Sequence, residues 1–344
     1  MPDESLAFWC AAAALLGLIF YALLGGADFG GGVWDLLAAG SRKREQRQAI
    51  GHALGPVWEA NHVWLIFVIV ILFTCFPKGY TTLAIGLFVP LHLALLGIML
   101  RGAAFVVRNH VEKTMGRRHV VSAGAWGALF GAASIISPML MGVSFGAATS
   151  GALRTNEHGD VWFDSYFTPG WLTPYSAACG LLALSACAYL AAVYLTAECD
   201  GLLRKDFQRR AIWAGTTTAI LAAIVLVLAR SEAAWFVEQL FSLAVLPIVI
   251  LGLLLFAGSA ITVWGGWHRL ACFCAAGEIA ALLIGWGLAQ RQYLLYPDVP
   301  LDSAAPAATL RFILRCLPVG FALLIPSLAM LLYIFKRHAL KRQR

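Results

Sequence analysis

Charge is what this sequence has least of. Asp, Glu, Lys and Arg make up only 12 % of its 344 residues, about half the share usual in soluble domains. Apolar residues make up 60 %, and mean hydropathy is +0.78. A chain so short of charge cannot cover a soluble surface, so it reads as a polytopic membrane protein. Other absences narrow the chemistry. The eight cysteines form no Cys-x-x-Cys pair, so neither a disulfide framework nor a zinc site follows. Met1 to Ser5 hold Asp3 and Glu4 but no basic residue, so the apolar stretch behind them is expected to be a retained span and not a cleaved signal. No segment alternates like a membrane strand and no short repeat recurs, so the spans must satisfy their backbones as helices.

What is present is a succession of long apolar runs. They predict an all-α, single integral membrane domain over 1–344 with about nine spans, near 6–25, 54–76, 80–100, 121–148, 171–196, 211–229, 240–264, 268–289 and 313–335. The segments following the odd-numbered spans hold 19 Lys and Arg, against 6 in the N-terminus and the segments following the even ones. This split predicts an outer N-terminus and a cytoplasmic C-terminus. It also accounts for the net charge of +7 without any nucleic-acid partner.

One stretch stands out chemically. Gly55-Pro56-Val57-Trp58-Glu59-Ala60-Asn61-His62-Val63-Trp64 is the polar mouth of an apolar run that reaches Phe76. From Pro56 to Phe76 a helix would rise about 31 Å, enough to cross a hydrocarbon core of about 30 Å. An ionisable residue one turn inside such a span is costly and marks a functional site by default. Glu59 and His62 form a Glu-x-x-His pair, but a di-iron site needs a second pair and none exists. His62 and His92 are the haem-ligand candidates, although an intramembrane His more often bridges helices. Proton handling by Glu59 remains.

Elsewhere, Leu24-Gly25-Gly26-Ala27-Asp28-Phe29-Gly30-Gly31-Gly32 invites a phosphate-loop reading, which fails for want of a preceding strand and a Gly-Lys-Ser/Thr ending. Small residues here suit close helix packing or an irregular turn at the cytoplasmic end of the first span. That places Asp28 at the same membrane face as Glu59. Arg101 and Arg108 share a helix face and either snorkel to phosphates or, for Arg101, meet an internal carboxylate or a cofactor propionate. The outer segment from Thr149 to Gly170 reads as solvated surface, and Gln290 to Arg311 as irregular. Glu278, mid-span, must be protonated or face a partner inside the bundle.

These residues resemble a known family, subunit II of the cytochrome bd-type quinol oxidases. The likeness rests on Gly-Ala-Asp28-Phe-Gly, Gly55-Pro56-x-Trp58-Glu59-x-Asn61-x-Val63-Trp64-Leu65-Ile66, Leu100-Arg101-Gly102-x-Ala104-Phe105-x-x-Arg108 and Leu172-Thr173-Pro174-Tyr175. It implies an accessory, non-catalytic subunit of a quinol:oxygen oxidoreductase in the bacterial cytoplasmic membrane. Haem b and haem d would sit in the partner, subunit I, with none on this chain, and a structurally bound quinone or lipid is compatible with it. Carried over, Glu59 heads a proton path with Asp28 beside it. Trp58, Asn61, His62 and Trp64 support that path, the subunit interface or a gas route, and Arg101 is structural. Gly25 and Val106 stand where many members carry acids, so the resemblance does not by itself carry over a second carboxylate path. The rival reading is a proton-coupled secondary transporter working through Glu59 and Glu278. A haem-binding membrane cytochrome is the third.

Overall fold

The computed structural model describes the backbone of residues 3–54, 58–114 and 120–341 and the side chains of residues 5–53, 61–107 and 124–330. Its helices are α1 (Asp3–Leu36), α2 (Lys43–Leu54), α3 (Trp58–Cys75), α4 (Pro77–Gly86), α5 (Phe88–Thr114), α6 (Val120–Thr149), α7 (Pro174–Glu198), α8 (Gly201–Glu232), α9 (Ala234–Leu240), α10 (Leu246–Trp264), α11 (His268–Ala289) and α12 (Ala307–Lys341). Eight are long and apolar enough to cross a membrane, or nine spans if the bent pair α3–α4 counts as one. The all-α bundle expected from the apolar runs is what forms.

Among the boundaries that differ from expectation, three bear on the site and the bends of the bundle. The glycine-rich stretch is no turn: α1 continues through it to Leu36, so Asp28 lies inside a helix and not at its end. The expected span 80–100 straddles a break, since α4 ends at Gly86 and α5 begins at Phe88. Upstream, α3 and α4 meet at 119°. Pro77 opens α4 without a donor for α3 to use, and its ring keeps Phe76 out of helical geometry, at φ −133°, ψ 59°. The expected span 240–264 is likewise divided, into α9 and α10.

The core is centred on α7, which begins in a capping box where Thr173 and Ser176 each hold the other's backbone N–H. Its Tyr189 to Val193 run is buried against Val33 and Trp34 of α1, Phe207 and Ala211 of α8, and Ala271 and Ala275 of α11. By contrast α12, apart from buried Leu310, is half-buried or exposed throughout its described side chains.

Two antiparallel ribbons close the end of the bundle where α1 starts and α3 finishes. The first pairs β1 (Leu153–Thr155) with β2 (Val161–Phe163), and the second pairs β3 (Tyr293–Leu295) with β4 (Val299–Pro300). Segments expected to be solvated or irregular are ordered here because Leu153, Leu295 and Val299 bury themselves with Leu87 and Ala147. Asp298 ties the ribbons together. It accepts from Arg154 Nε at 2.7 Å, from Arg154 Nη2 at 3.0 Å and from the Thr155 backbone N–H at 3.0 Å. At the opposite end Arg42, just before α2, clasps Asp206 of α8 at 2.8 and 2.7 Å.

The Arg154 hydrogen bonds hold the Asp298 carboxyl below the usual carboxylate range. A carboxyl whose folded value is depressed stabilises above its unfolded value of about 3.9, and that contribution is lost as pH falls through the lowered folded value. Asp298→Asn is expected to cost about 1 kcal/mol locally, as a partly exposed bidentate pair should. Hydrogen exchange at Leu153–Thr155 should therefore quicken in the variant at neutral pH. The wild type should approach the variant's rate below about pH 4 once intrinsic exchange is corrected for.

Candidate functional site

The site begins with the absence of side chains on α1. A Cβ on Gly30 would overlap the Cys187 carbonyl of α7, and one on Gly32 would overlap Ser134 of α6. Only glycine lets α1 come this close to both helices. Asp28, half a turn ahead of Gly30, is carried into the junction of α1, α5 and α6, where it is 4 % exposed.

Arg101 of α5, also 4 % exposed, meets it there. Its Nη1 donates to Asp28 Oδ2 at 2.5 Å, and its Nη2 donates to Oδ1 at 2.6 Å and to the Asp28 carbonyl at 2.9 Å. Its Nε donates to Ser134 Oγ at 2.8 Å, while the Ser134 hydroxyl donates to the Phe130 carbonyl at 2.7 Å. The guanidinium carbon lies 5.1 Å from the centre of the Phe29 ring and 4.8 Å from that of Phe130, so two aromatic faces enclose the cation. This bidentate geometry, with a further acceptor on Nε, is what makes a buried ion pair tolerable where water cannot reach. Of the two roles weighed for Arg101, the arrangement is that of a partner to an internal carboxylate and not of a snorkelling cation. Tyr21 fills the space beside Gly25, where a Cβ would lie 3.3 Å from its ring.

Next to this pair, α3 packs on α1 with a polar and an aromatic residue one turn apart. Asn61 is 2 % exposed, and neither of its amide atoms has a hydrogen-bond partner among the described residues. Trp64 is equally enclosed and its indole N–H is also unpartnered among the described residues. Its ring stacks on Phe20 at 4.4 Å and lies 6.4 Å from Phe321 of α12. His62 is half-buried and engaged in an interaction of its own. Trp58 and Glu59 belong to α3, but their side chains, like that of Arg108, lie outside the described residues.

Two other residues singled out by the sequence fall elsewhere. His92 is exposed on α5, with Nδ1 2.8 Å from the Phe88 carbonyl one turn back. Glu278 is buried in α11, a helix that packs against α10 and α7, with Oε2 unpartnered among the described residues. Sequence reasoning missed Ser134, Phe29 and Phe130. The available signal was the run of small and hydroxyl residues in α6, since polar residues inside spans usually answer something on a neighbouring helix.

Comparison with known proteins gives a consistent result. Residues 6–335 match the family described as cytochrome bd terminal oxidase subunit II. The chain is similar to a Bacillus subtilis (strain 168) protein provisionally named cytochrome bd menaquinol oxidase subunit II, at 23 % identity over 93 % of each chain. It is also similar to the cytochrome bd ubiquinol oxidase subunit 2 of the same organism, at 35 % identity over 40 % of this chain and 38 % of that one. In fold it resembles a chain of the bd oxidase from Geobacillus thermodenitrificans, with a TM-score of 0.79 and 21 % identity, covering 96 % of this chain and 98 % of that one.

Arg101→Leu leaves Asp28 buried without its cation and is expected to cost about 3–5 kcal/mol. The loss should appear as a sharply lowered yield and melting temperature of detergent-extracted protein. The double variant Asp28→Leu/Arg101→Leu, which buries no charge, should recover most of it. A double variant no better than the single one would mean that Arg101 does not serve chiefly to answer Asp28.

Proposed function

The chain belongs to the cytochrome bd terminal oxidase subunit II family, and from that membership we propose that it is the second subunit of a complex that oxidises quinol and reduces dioxygen to water. It is a multi-pass protein of the bacterial inner membrane. On this reading it is not catalytic alone. Haem b and haem d reside in subunit I, which this chain steadies and supplies with protons and oxygen.

The observation that carries the proposal is the whole-chain family match, joined to the motif from Trp58 to Trp64 at the start of α3. The basic segments give the orientation, with the ribbons outside and α2 and the start of α3 at the cytoplasmic end. Glu59 is then the proton intake on the side from which protons are drawn. Asp28 contributes by position, because its lock on Arg101, which also holds Ser134, fixes α1, the helix on which α3 packs, against α5 and α6. Trp64 seals the α1–α3–α12 junction. The apolar face outside it, with Ile66, Val70 and Phe73 on α3 and Val319 and Leu323 on α12, is suited to subunit I.

The transporter reading would need Glu59 and Glu278 to share a pathway. Among the described helices α3 packs on α1, α4 and α12, whereas α11 packs on α10, α7, α1 and α9. That leaves α1 as the helix on which both α3 and α11 pack.

Glu59→Gln is expected to reduce oxygen consumption by the assembled complex about a hundredfold, the lower side of what a positioned proton-transfer group supplies. Haem content, read from the visible spectrum, should persist. Unchanged turnover would remove Glu59 from the proton path, and lost haem would make its role one of assembly.

A further inference from the structure

A groove of about 530 Å³ runs between α1 and α12 at the ribbon end of the bundle. That is within the usual range for a small-molecule site, about 300–1,000 Å³. It is lined by Ala12 and Ala13, whose small side chains leave the space open, together with Leu6, Leu16 and Leu317. Two arginines of α12, Arg311 and Arg315, stand in the same lining one helical turn apart, with half-exposed Trp9 across from them on α1. Arg311 has an interaction of its own, and Arg315 is exposed.

From Leu6 to Leu16 the groove follows α1 for about 15 Å, half of a hydrocarbon core about 30 Å thick. It is therefore as deep as one leaflet, and its two cations, Arg311 and Arg315, lie in the first three turns of α12, from which long side chains reach back toward the ribbon end. Free quinol or substrate-like molecules need no cation there. An anionic phospholipid presents this chemistry in this order: a phosphate at the level of an interfacial Trp and Arg, then an acyl chain running inward. An arginine set eight residues into an apolar helix also needs an acceptor, because its guanidinium otherwise drags water into the membrane edge.

We propose that the α1–α12 groove is a specific site for one anionic phospholipid of the ribbon-side leaflet, its phosphate held by Arg315 with Arg311 one turn away, and one acyl chain lying over Ala12 and Ala13. The inference needs only that the bundle lies in a membrane and is independent of the oxidase reading. The lipid would fasten α12, the least buried long helix, to α1.

The test is native mass spectrometry of the protein extracted with its co-purifying subunits and titrated with phosphatidylglycerol, with phosphatidylcholine and with inorganic phosphate. Wild type should retain one phosphatidylglycerol per copy, with weaker uptake of phosphatidylcholine and no displacement by inorganic phosphate. Arg315→Gln should weaken that binding roughly fivefold, the effect of about one surface cation on an anionic lipid, while Arg315→Lys keeps most of it. Ala13→Leu fills the groove with both arginines intact and should also weaken it, which guards against a folding defect in Arg315→Gln. Equal binding of the two lipids, displacement by inorganic phosphate, or undiminished binding in both Arg315→Gln and Ala13→Leu would overturn the proposal. So would loss of a co-purifying subunit in Arg315→Gln with lipid content unchanged, which would make the occupant a protein carboxylate.

Discussion

A charge inside a membrane must be answered by another charge, and in this chain that requirement is met at Asp28 and Arg101. Neither residue has water to fall back on. The helices that carry them must therefore come together, and α6 must bring Ser134 to the remaining guanidinium donor. One interaction thus sets the relative placement of α1, α5 and α6. A hydrophobic contact could not do this alone, since lipid is as apolar as leucine and gives helices no comparable reason to choose one neighbour. The aromatic faces of Phe29 and Phe130 complete the enclosure and keep the cation from sliding toward either membrane surface.

The glycines are the second half of the same constraint. A pair with contacts of 2.5–2.9 Å fixes the backbones more tightly than ordinary side chains allow, so α1 gives up side chains where α6 and α7 pass. The same device recurs between α6 and α7, where Gly142, Gly146 and Gly180 admit the opposite helix. The result is a densely packed interior around α7 and a looser periphery, with α12 resting on α1 and α3 along one side. An outlying helix in a membrane bundle is held by what lies beyond it as much as by what lies beneath it.

Much of this was legible in the amino-acid order. Long apolar runs require helices because backbone groups in lipid have no other partner, and the eleventh helix matches its expected bounds, 268–289, without adjustment. The departures come where local rules compete with packing. Five glycines among the eight residues from Gly25 to Gly32 argue locally for a turn. Tertiary contact reverses that preference, because α6 and α7 occupy the space side chains would have filled. Pro77 did carry a usable signal, since a proline and the residue before it both resist continuing a helix, yet the apolar run across it hid the bend. The ribbons were hidden for the opposite reason: β1 and β2 are three residues each, too short for alternation to register. Arg101 and Asp28 were each visible as charges in spans, but only the fold decides which carboxylate an arginine meets.

The pair also separates two kinds of acid that composition alone treats alike. Asp28 has both oxygens and its own carbonyl engaged by one guanidinium, so moving it means unpacking three helices. A group so fixed defines geometry for others. A proton intake, the role proposed for Glu59, needs the converse, a carboxyl with room to exchange partners. One helical turn into α3, Asn61 presents a buried amide with no partner among the described residues, a donor and an acceptor available to water or to a moving proton. Rigid charge on α1 and uncommitted polarity on α3 are complementary. On the proposed function, the first would hold the wall still so that the second can act along it.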